Sequence, residues 1–159
     1  MSTPTRLGLV LAAAGMLALP LSALAQTRVT QQRIGDLTYY SGNVAGKTLS
    51  GSTHSIGTTS YTNLRIGSST LSGTSLQIGE IRYENWSDGI SATTQRIGSF
   101  EYTSTNRGER YTTQTIGNVR YTSGSDGSRA TAQRIGSFEY TTVTHSPETR
   151  VRTPPLFPR

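Results

Sequence analysis

The sequence predicts an all-β fold in which tandem β-hairpin repeats of 19–22 residues form a meander or a solenoid-like stack. Three observations support this prediction. The nine residues QRIGSFEYT occur at 95–103 and again at 133–141, and looser copies begin at 32, 54, 76 and 114. Each of the six copies contains Ile-Gly, followed by a Tyr four residues after the Gly. The flanking segments are rich in Thr, Tyr and Ile, which are typical of strands.

The first 25 residues have the pattern of a signal peptide. Arg6 precedes an apolar run over 7–21, and Ala23-Leu24-Ala25 is an A-x-A cleavage site. We therefore expect an exported protein, located outside the cell, at the cell surface or in the periplasm. The sequence contains no cysteine, which excludes disulfide bonds and a lipid anchor attached to cysteine.

The remaining chain divides into three segments. We expect an N-terminal segment at 26–31, six hairpin repeats over 32–142, and a tail containing Pro and Arg at 143–159. Leu, Ile, Val and Phe make up only about a sixth of the mature chain, so a thin core shared between repeats is expected. The net charge of +6 favours polyanionic partners, unless the arginines pair with carboxylates across strands.

Each repeat has the pattern of a β-hairpin with a two-residue turn at the Gly and the residue that follows it. With the turn at Gly98, Arg96 lies opposite Glu101 and forms an exposed ion pair with it, while Ile97 and Tyr102 project to the other face. The apolar face is expected to be buried. The same register predicts the opposed pairs Arg134–Glu139, Gln77–Arg82 and Thr115–Arg120.

A second set of turns is predicted between the hairpins. Ser87-Asp88-Gly89 and the segments 106–108 and 125–127 carry turn residues, and Ile66-Gly67 is an additional candidate. Strands would then reverse about every nine or ten residues, giving about a dozen in all. The charges at 82, 101, 120 and 139 alternate in sign, so we expect neighbouring copies to attract each other.

Catalysis has little support in the sequence. His54 and His145 are the only histidines, and no motif of a hydrolase, zinc protease or nucleotide-binding loop is present. Asp88 and Asp126 lie in predicted turns, and we assign them to turn formation. We therefore expect no enzymatic activity, no cofactor and no metal site.

The aromatic residues fall into two sets. The six repeated tyrosines lie on the apolar face and are expected to pack in the core; the other interpretation is a platform for sugar rings. Tyr40, Trp86 and Tyr111 lie off this register, so we expect them to be exposed and take them as candidate ligand-binding residues. The repeated tyrosines are Tyr39, Tyr61, Tyr83, Tyr102, Tyr121 and Tyr140.

The order Ile-Gly, Tyr, Ser-Asp-Gly and a Thr-rich strand resembles the hairpin repeats of choline-binding and glucan-binding cell-wall modules. That resemblance implies stacked hairpins with ligand sites between neighbouring copies. Repeat length and the content of Gln, Gly, Ser and Thr are also similar to curli-type fibre subunits. Both resemblances cover residues 32–142. The residues that carry the first are Ile78, Gly79, Tyr83, Ser87, Asp88, Gly89 and Thr93, and again Ile116, Gly117, Tyr121, Ser125, Asp126, Gly127 and Thr131.

These features predict a secreted, non-enzymatic protein with a structural, adhesive or self-assembling role at the cell surface or in the matrix. Its partner would be a second copy of itself, added at exposed sheet edges. The alternative is a module that binds cell-wall or extracellular glycan. We expect no specific nucleic-acid partner, and no membrane span, because short strands with Arg and Glu on one face do not suit lipid.

Overall fold

The computed structural model describes residues 27–44 and 46–145, which form twelve β-strands. Within these ranges, no helix is long and apolar enough to cross a membrane. The predicted signal peptide lies outside the described residues, as does the tail from residue 146 onward. The strands are β1 (Thr27–Ile34), β2 (Leu37–Val44), β3 (Lys47–Ile56), β4 (Thr59–Ile66), β5 (Ser69–Ile78), β6 (Ile81–Trp86), β7 (Ser91–Ile97), β8 (Phe100–Thr105), β9 (Arg110–Ile116), β10 (Val119–Gly124), β11 (Ser128–Ile135) and β12 (Phe138–His145).

The strands form an antiparallel meander that closes into a barrel. Each strand pairs with its neighbours in sequence, and β12 pairs with β1, with Thr142 opposite Arg28. The predicted all-β meander is confirmed, whereas the solenoid-like stack is wrong because the last strand returns to the first. Closure pairs both outer strands of the described array, so the free sheet edges required for the predicted strand addition are missing.

The repeated Ile-Gly turns all lie at one end of the barrel, which we call the repeat end. Their six glycines have φ between +58° and +62°, a conformation that a side chain would disfavour and that the predicted two-residue turns require. Four turns at the other end, the far end, are also where the sequence predicts them. Gly67, Gly89, Gly108 and Gly127 have φ of +58° to +85° there.

The predicted hairpin register is confirmed. Arg96 is opposite Glu101, and Gln95 is opposite Tyr102. The other hairpins follow the same rule, with Arg134 opposite Glu139, Gln77 opposite Arg82 and Thr115 opposite Arg120.

The assignment of the two faces is wrong. The repeated Ile and Tyr side chains point out of the barrel, and the faces that carry Arg, Glu and Thr point inward. Alternation decides which residues share a face, but the closure of the sheet decides which face is concave. The apolar core instead fills the barrel towards the far end. It contains Val29, Tyr40, Val44, Leu49, Leu64, Leu71, Trp86, Ile90, Tyr111, Ala130 and Val143.

Glycines on the inward face provide the space for the large core residues. Gly73 is opposite Trp86, and a Cβ atom at Gly73 would lie 2.4 Å from Cε3 of the indole. Gly124 is opposite Tyr111, where a Cβ would lie 2.3 Å from Oδ1 of Asp126, 2.5 Å from Oγ of Ser128 and 2.6 Å from Cε1 of the tyrosine ring. The Trp86 ring therefore occupies the volume that a side chain at Gly73 would need, and the Tyr111 ring shares that volume at Gly124 with two polar side chains.

Candidate functional site

Two features stand out as candidate sites, the first of which is an apolar belt on the outside of the barrel. We define the outer belt as the repeated Ile and Tyr residues, one of each per hairpin. The isoleucines are 57–59% exposed and the tyrosines 42–49% exposed, so the predicted burial of these tyrosines is wrong. The belt consists of Ile34, Ile56, Ile78, Ile97, Ile116 and Ile135 with Tyr39, Tyr61, Tyr83, Tyr102, Tyr121 and Tyr140.

Neighbouring side chains hold parts of this belt in place. Phe100 stacks on Tyr102, and Phe138 stacks on Tyr140, each with ring centroids 6.3 Å apart. Four of the six tyrosines also have a glutamine directly opposite them on the other strand of the hairpin. These pairs are Gln32–Tyr39, Gln95–Tyr102, Gln114–Tyr121 and Gln133–Tyr140.

The second feature is a polar space inside the barrel at the repeat end, which we call the vestibule. It consists of two cavities of about 480 and 440 Å³ that share Gln77, Arg82, Arg120, Arg134 and Glu139 in their walls. One inward-facing pair from each hairpin, adjacent to its turn, lines these cavities. The pairs are Arg33–Thr38, Ser55–Ser60, Gln77–Arg82, Arg96–Glu101, Thr115–Arg120 and Arg134–Glu139.

Two ion pairs lie at or just beneath the vestibule wall, and neither joins the directly opposed residues of a hairpin. Glu139 pairs with Arg120, two strands away across the concave surface, rather than with Arg134 directly opposite it. This contact confirms the predicted attraction between the last two copies. Arg82 pairs with Glu84 on its own strand at 2.8 Å.

Three vestibule arginines form no ion pair with any residue in 27–44 or 46–145. The predicted ion pair between Arg96 and Glu101 is therefore wrong, although the two residues are opposed. Arg33 and Arg96 use Nε to donate to the carbonyl oxygens of Gly35 and Gly98 in their own turns, at 3.0 and 3.4 Å. Arg134 is exposed at the rim.

A layer of hydroxyl groups forms the floor beneath the vestibule. Threonines on opposed strands hydrogen-bond in pairs at 2.7–2.8 Å, which satisfies polar groups that are out of contact with water. The hydroxyl of Tyr40 is hydrogen-bonded to that of Thr53 at 3.0 Å. Burial raises the pKa of Tyr40 despite this hydrogen bond. The bonded threonine pairs are Thr53–Thr62, Thr94–Thr103 and Thr113–Thr122.

Glu84 is the most deeply placed carboxyl group near the vestibule. Burial raises the pKa of Glu84 above its usual value of 4.5, and the charge of Glu101 acts in the same direction. The neighbouring Arg82 and a hydrogen bond to Trp86 lower it, but burial outweighs them. The charged form of Glu84 is therefore less favourable in the folded protein than in water.

The predicted ligand-binding residues are not exposed. Tyr40, Trp86 and Tyr111 are 4%, 8% and 3% exposed. Side chains alternate along a strand, and these three lie on the inward face, whereas the repeated tyrosines lie on the outward face. Tyr40 lines one vestibule cavity, and Trp86 borders a separate 350 Å³ groove between β4, β5 and β6. Ligand binding by these three residues stays a prediction, but they share no exposed surface.

Other predicted positions have simpler roles. The carboxylate of Asp88 accepts from the backbone nitrogen of Ile90 at 3.1 Å, and that of Asp126 accepts from Ser128 at 3.0 Å, which confirms both as turn formers. His54 is exposed on the outer face, and the backbone of His145 ends β12. Within the described residues, no group of three His, Cys, Asp or Glu side chains could hold a metal ion.

The sequence pattern does not predict the vestibule. It places the arginines together on one face of the hairpins, but that face is expected to be exposed rather than to line the barrel. The available signal was that the charged pair recurs next to the turn in the late hairpins. Comparison with known proteins does not extend these observations, because no protein-family model, curated protein or solved structure matches the chain.

Proposed function

We propose that this chain is an exported, non-enzymatic adhesive protein of the cell surface or extracellular matrix, and that it attaches through its outer belt. The observation that carries the proposal is the exposure of six isoleucines and six tyrosines at equivalent positions of all six hairpins. Export is supported by the signal-peptide pattern over residues 1–25.

The belt favours attachment because soluble monomeric proteins rarely expose large contiguous apolar patches. Here each hairpin contributes one Ile and one Tyr, so contacts can form on every side of the barrel. Several weak contacts made at once bind far more strongly than one. Self-association through the belt, rather than through sheet edges, would be one form of this adhesion.

A second candidate function is binding to cell-wall or extracellular glycan, which the four Gln–Tyr pairs favour. An aromatic face covers the apolar face of a sugar ring, while an adjacent amide can donate to and accept from its hydroxyl groups. Gln95 with Tyr102 is one such pair, and equivalent pairs recur in three other hairpins. The resemblance to glucan-binding repeats is consistent with this candidate.

The test compares variants of the mature chain, residues 26–159, for retention on purified cell-wall material and on beads coated with neutral polysaccharide. In the first variant, Tyr83, Tyr102 and Tyr121 are replaced by Ser. The matched control is N85S/S104A/S123A, which changes outward positions on the same three strands, two residues farther from the turns. Because aromatic anchors dominate interfaces, retention should fall about tenfold or more in the tyrosine variant and remain unchanged in the control.

The outcome separates the two candidates. Retention on cell-wall material alone, with loss in the tyrosine variant, supports adhesion through the belt. Retention that also occurs on polysaccharide beads, and that is competed by soluble oligosaccharide, supports the glycan candidate. Equal retention of the tyrosine variant and the native chain on every material would contradict both.

A further inference from the structure

The vestibule carries more positive than negative charge. Its six lining pairs contain five arginines and the glutamates Glu101 and Glu139, and Glu84 lies one layer deeper. Five arginines and three glutamates give a net charge of +2. The exposed turn residue Glu80 at the rim lowers it to +1. A concave site with an excess of one sign concentrates ions of the opposite sign.

The arginines of the larger cavity have unused hydrogen-bonding capacity. Arg120 donates through one terminal nitrogen to Glu139, but its buried Nε has no hydrogen-bond partner among the described residues. Within the described strands, Arg96 donates a long hydrogen bond from Nε to the carbonyl oxygen of Gly98 at 3.4 Å. Arg134 lines both cavities. A buried donor without a partner is unfavourable, so an acceptor in this space would stabilise the wall.

We propose that the vestibule is a binding site for an oxyanion, either a carboxylate, a sulfate or a phosphate, carried by a small molecule or by the end of an acidic sugar chain. Arg96, Arg120 and Arg134 supply the donors. The planar guanidinium group donates two parallel hydrogen bonds to such oxygens. A cavity of about 480 Å³ has the size of a small-molecule site, so a single sugar ring or a small organic acid fits it.

This site is distinct from the outer belt, because its residues point into the barrel while the belt points out. It therefore does not depend on the proposed adhesion.

The test is isothermal titration calorimetry on the mature chain at low ionic strength, with four probes: sodium sulfate, sodium phosphate, sodium galacturonate and neutral galactose. We expect heat from at least one of the three anions and none from galactose. Preference for galacturonate assigns the site to acidic sugars, and preference for an inorganic anion assigns it to the free ion; either result supports the site. No binding of any anion would overturn it.

Two double variants locate the binding within the barrel. R96Q/R134Q removes two vestibule arginines, and R110Q/R129Q removes the same charge from outward positions near the far end. Loss of hydrogen bonds to a charged group should weaken anion binding about tenfold in the first variant, with no change in the second. The single variant R134Q, with circular dichroism of every protein, guards against a folding defect. Equal weakening in R110Q/R129Q would show that the binding is nonspecific attraction and would overturn the site.

Discussion

Replacing Gly73 by alanine should destabilise the barrel, although the same change in an open strand would stabilise it. The new Cβ would lie 2.4 Å from Cε3 of Trp86 and 2.7 Å from two further ring atoms. The ring is 8% exposed and packs in the core, so moving it away from a new Cβ atom would break its core contacts. Gly73 does not have positive φ, so the backbone accepts alanine and only the contact with the indole opposes it.

The magnitude follows from two opposing effects. Without the contact, Gly→Ala lowers the entropy of the unfolded chain and stabilises by about 0.4–1 kcal/mol. Overpacking a core costs about 1–3 kcal/mol. Gly73→Ala should therefore lower the free energy of unfolding in the native background and raise it in the Trp86→Leu background, where the ring is gone. The gain in the unfolded chain is common to both backgrounds, so the coupling between the two positions should equal the overpacking cost, about 1–3 kcal/mol.

Urea denaturation of the four proteins of this cycle measures the coupling, with far-UV circular dichroism as the common signal. Fluorescence of Trp86, the single tryptophan, provides a second signal in the two proteins that retain it. If Gly73→Ala leaves stability unchanged in the native background, or costs the same with Leu at position 86, then the indole does not occupy the space beside Gly73 and the inward placement of Trp86 is wrong.

Three further predictions concern the core, the pH dependence and the far-end turns. Leu49→Ala removes a side chain that is 1% exposed and should lower the free energy of unfolding by about 2–5 kcal/mol; a cost below about 1 kcal/mol in urea denaturation would contradict the position of the core. Because the pKa of Glu84 is raised in the folded state, the folded protein binds its proton more tightly than the unfolded chain. Stability should therefore fall as the pH rises from 4.5 through the folded pKa, and Glu84→Gln should remove this decline from melting temperatures measured across that range; an unchanged slope would refute it. Asp126→Ala leaves the buried backbone nitrogen and hydroxyl of Ser128 without their acceptor and should cost about 1–3 kcal/mol. The control Asp88→Ala removes one backbone contact and should cost less, and equal losses of melting temperature would contradict this ranking.

The hairpins could be predicted from the sequence because their determinants are local. The Gly of the Ile-Gly turn sets the position at which the chain reverses. Counting residues from that turn gives the strand register, in which Arg96 is opposite Glu101. Closure is not local. A hairpin has the same internal contacts in a stack and in a barrel, and only the accumulated twist and stagger of many strands bring β12 beside β1. The pattern of a single repeat therefore could not distinguish a solenoid-like stack from a barrel.

The choice of the inward face failed for a similar reason. Ile and Tyr alternate with Arg and Glu, and either face could have been concave. Residues far from the repeated motif carried the deciding signal. Gly73 is directly opposite Trp86 on the same face of the sheet, and Gly124 is directly opposite Tyr111. A glycine opposite a large aromatic residue indicates a crowded interior rather than an exposed platform.

The ion pair between Arg120 and Glu139 depended on the closed shape as well. Cross-strand counting gives Glu139 the partner Arg134, but inside a barrel the side chains of non-adjacent strands converge. Arg120 on β10 therefore reaches Glu139 on β12 across the intervening strand. The alternating charges at 101, 120 and 139 anticipated an attraction between these copies, but not the concave surface on which the contact lies.

The central claim is that the repeated tyrosines face outward and that Tyr40 and Tyr111 face inward. Limited nitration of the native chain with tetranitromethane, read by peptide mass spectrometry, tests it on all eight tyrosines. The six belt tyrosines should react in the folded protein, whereas Tyr40 and Tyr111 should react only after denaturation. Rapid nitration of Tyr40 and Tyr111 with protection of the six repeated tyrosines would contradict the claim and would place the Ile and Tyr face inside the protein.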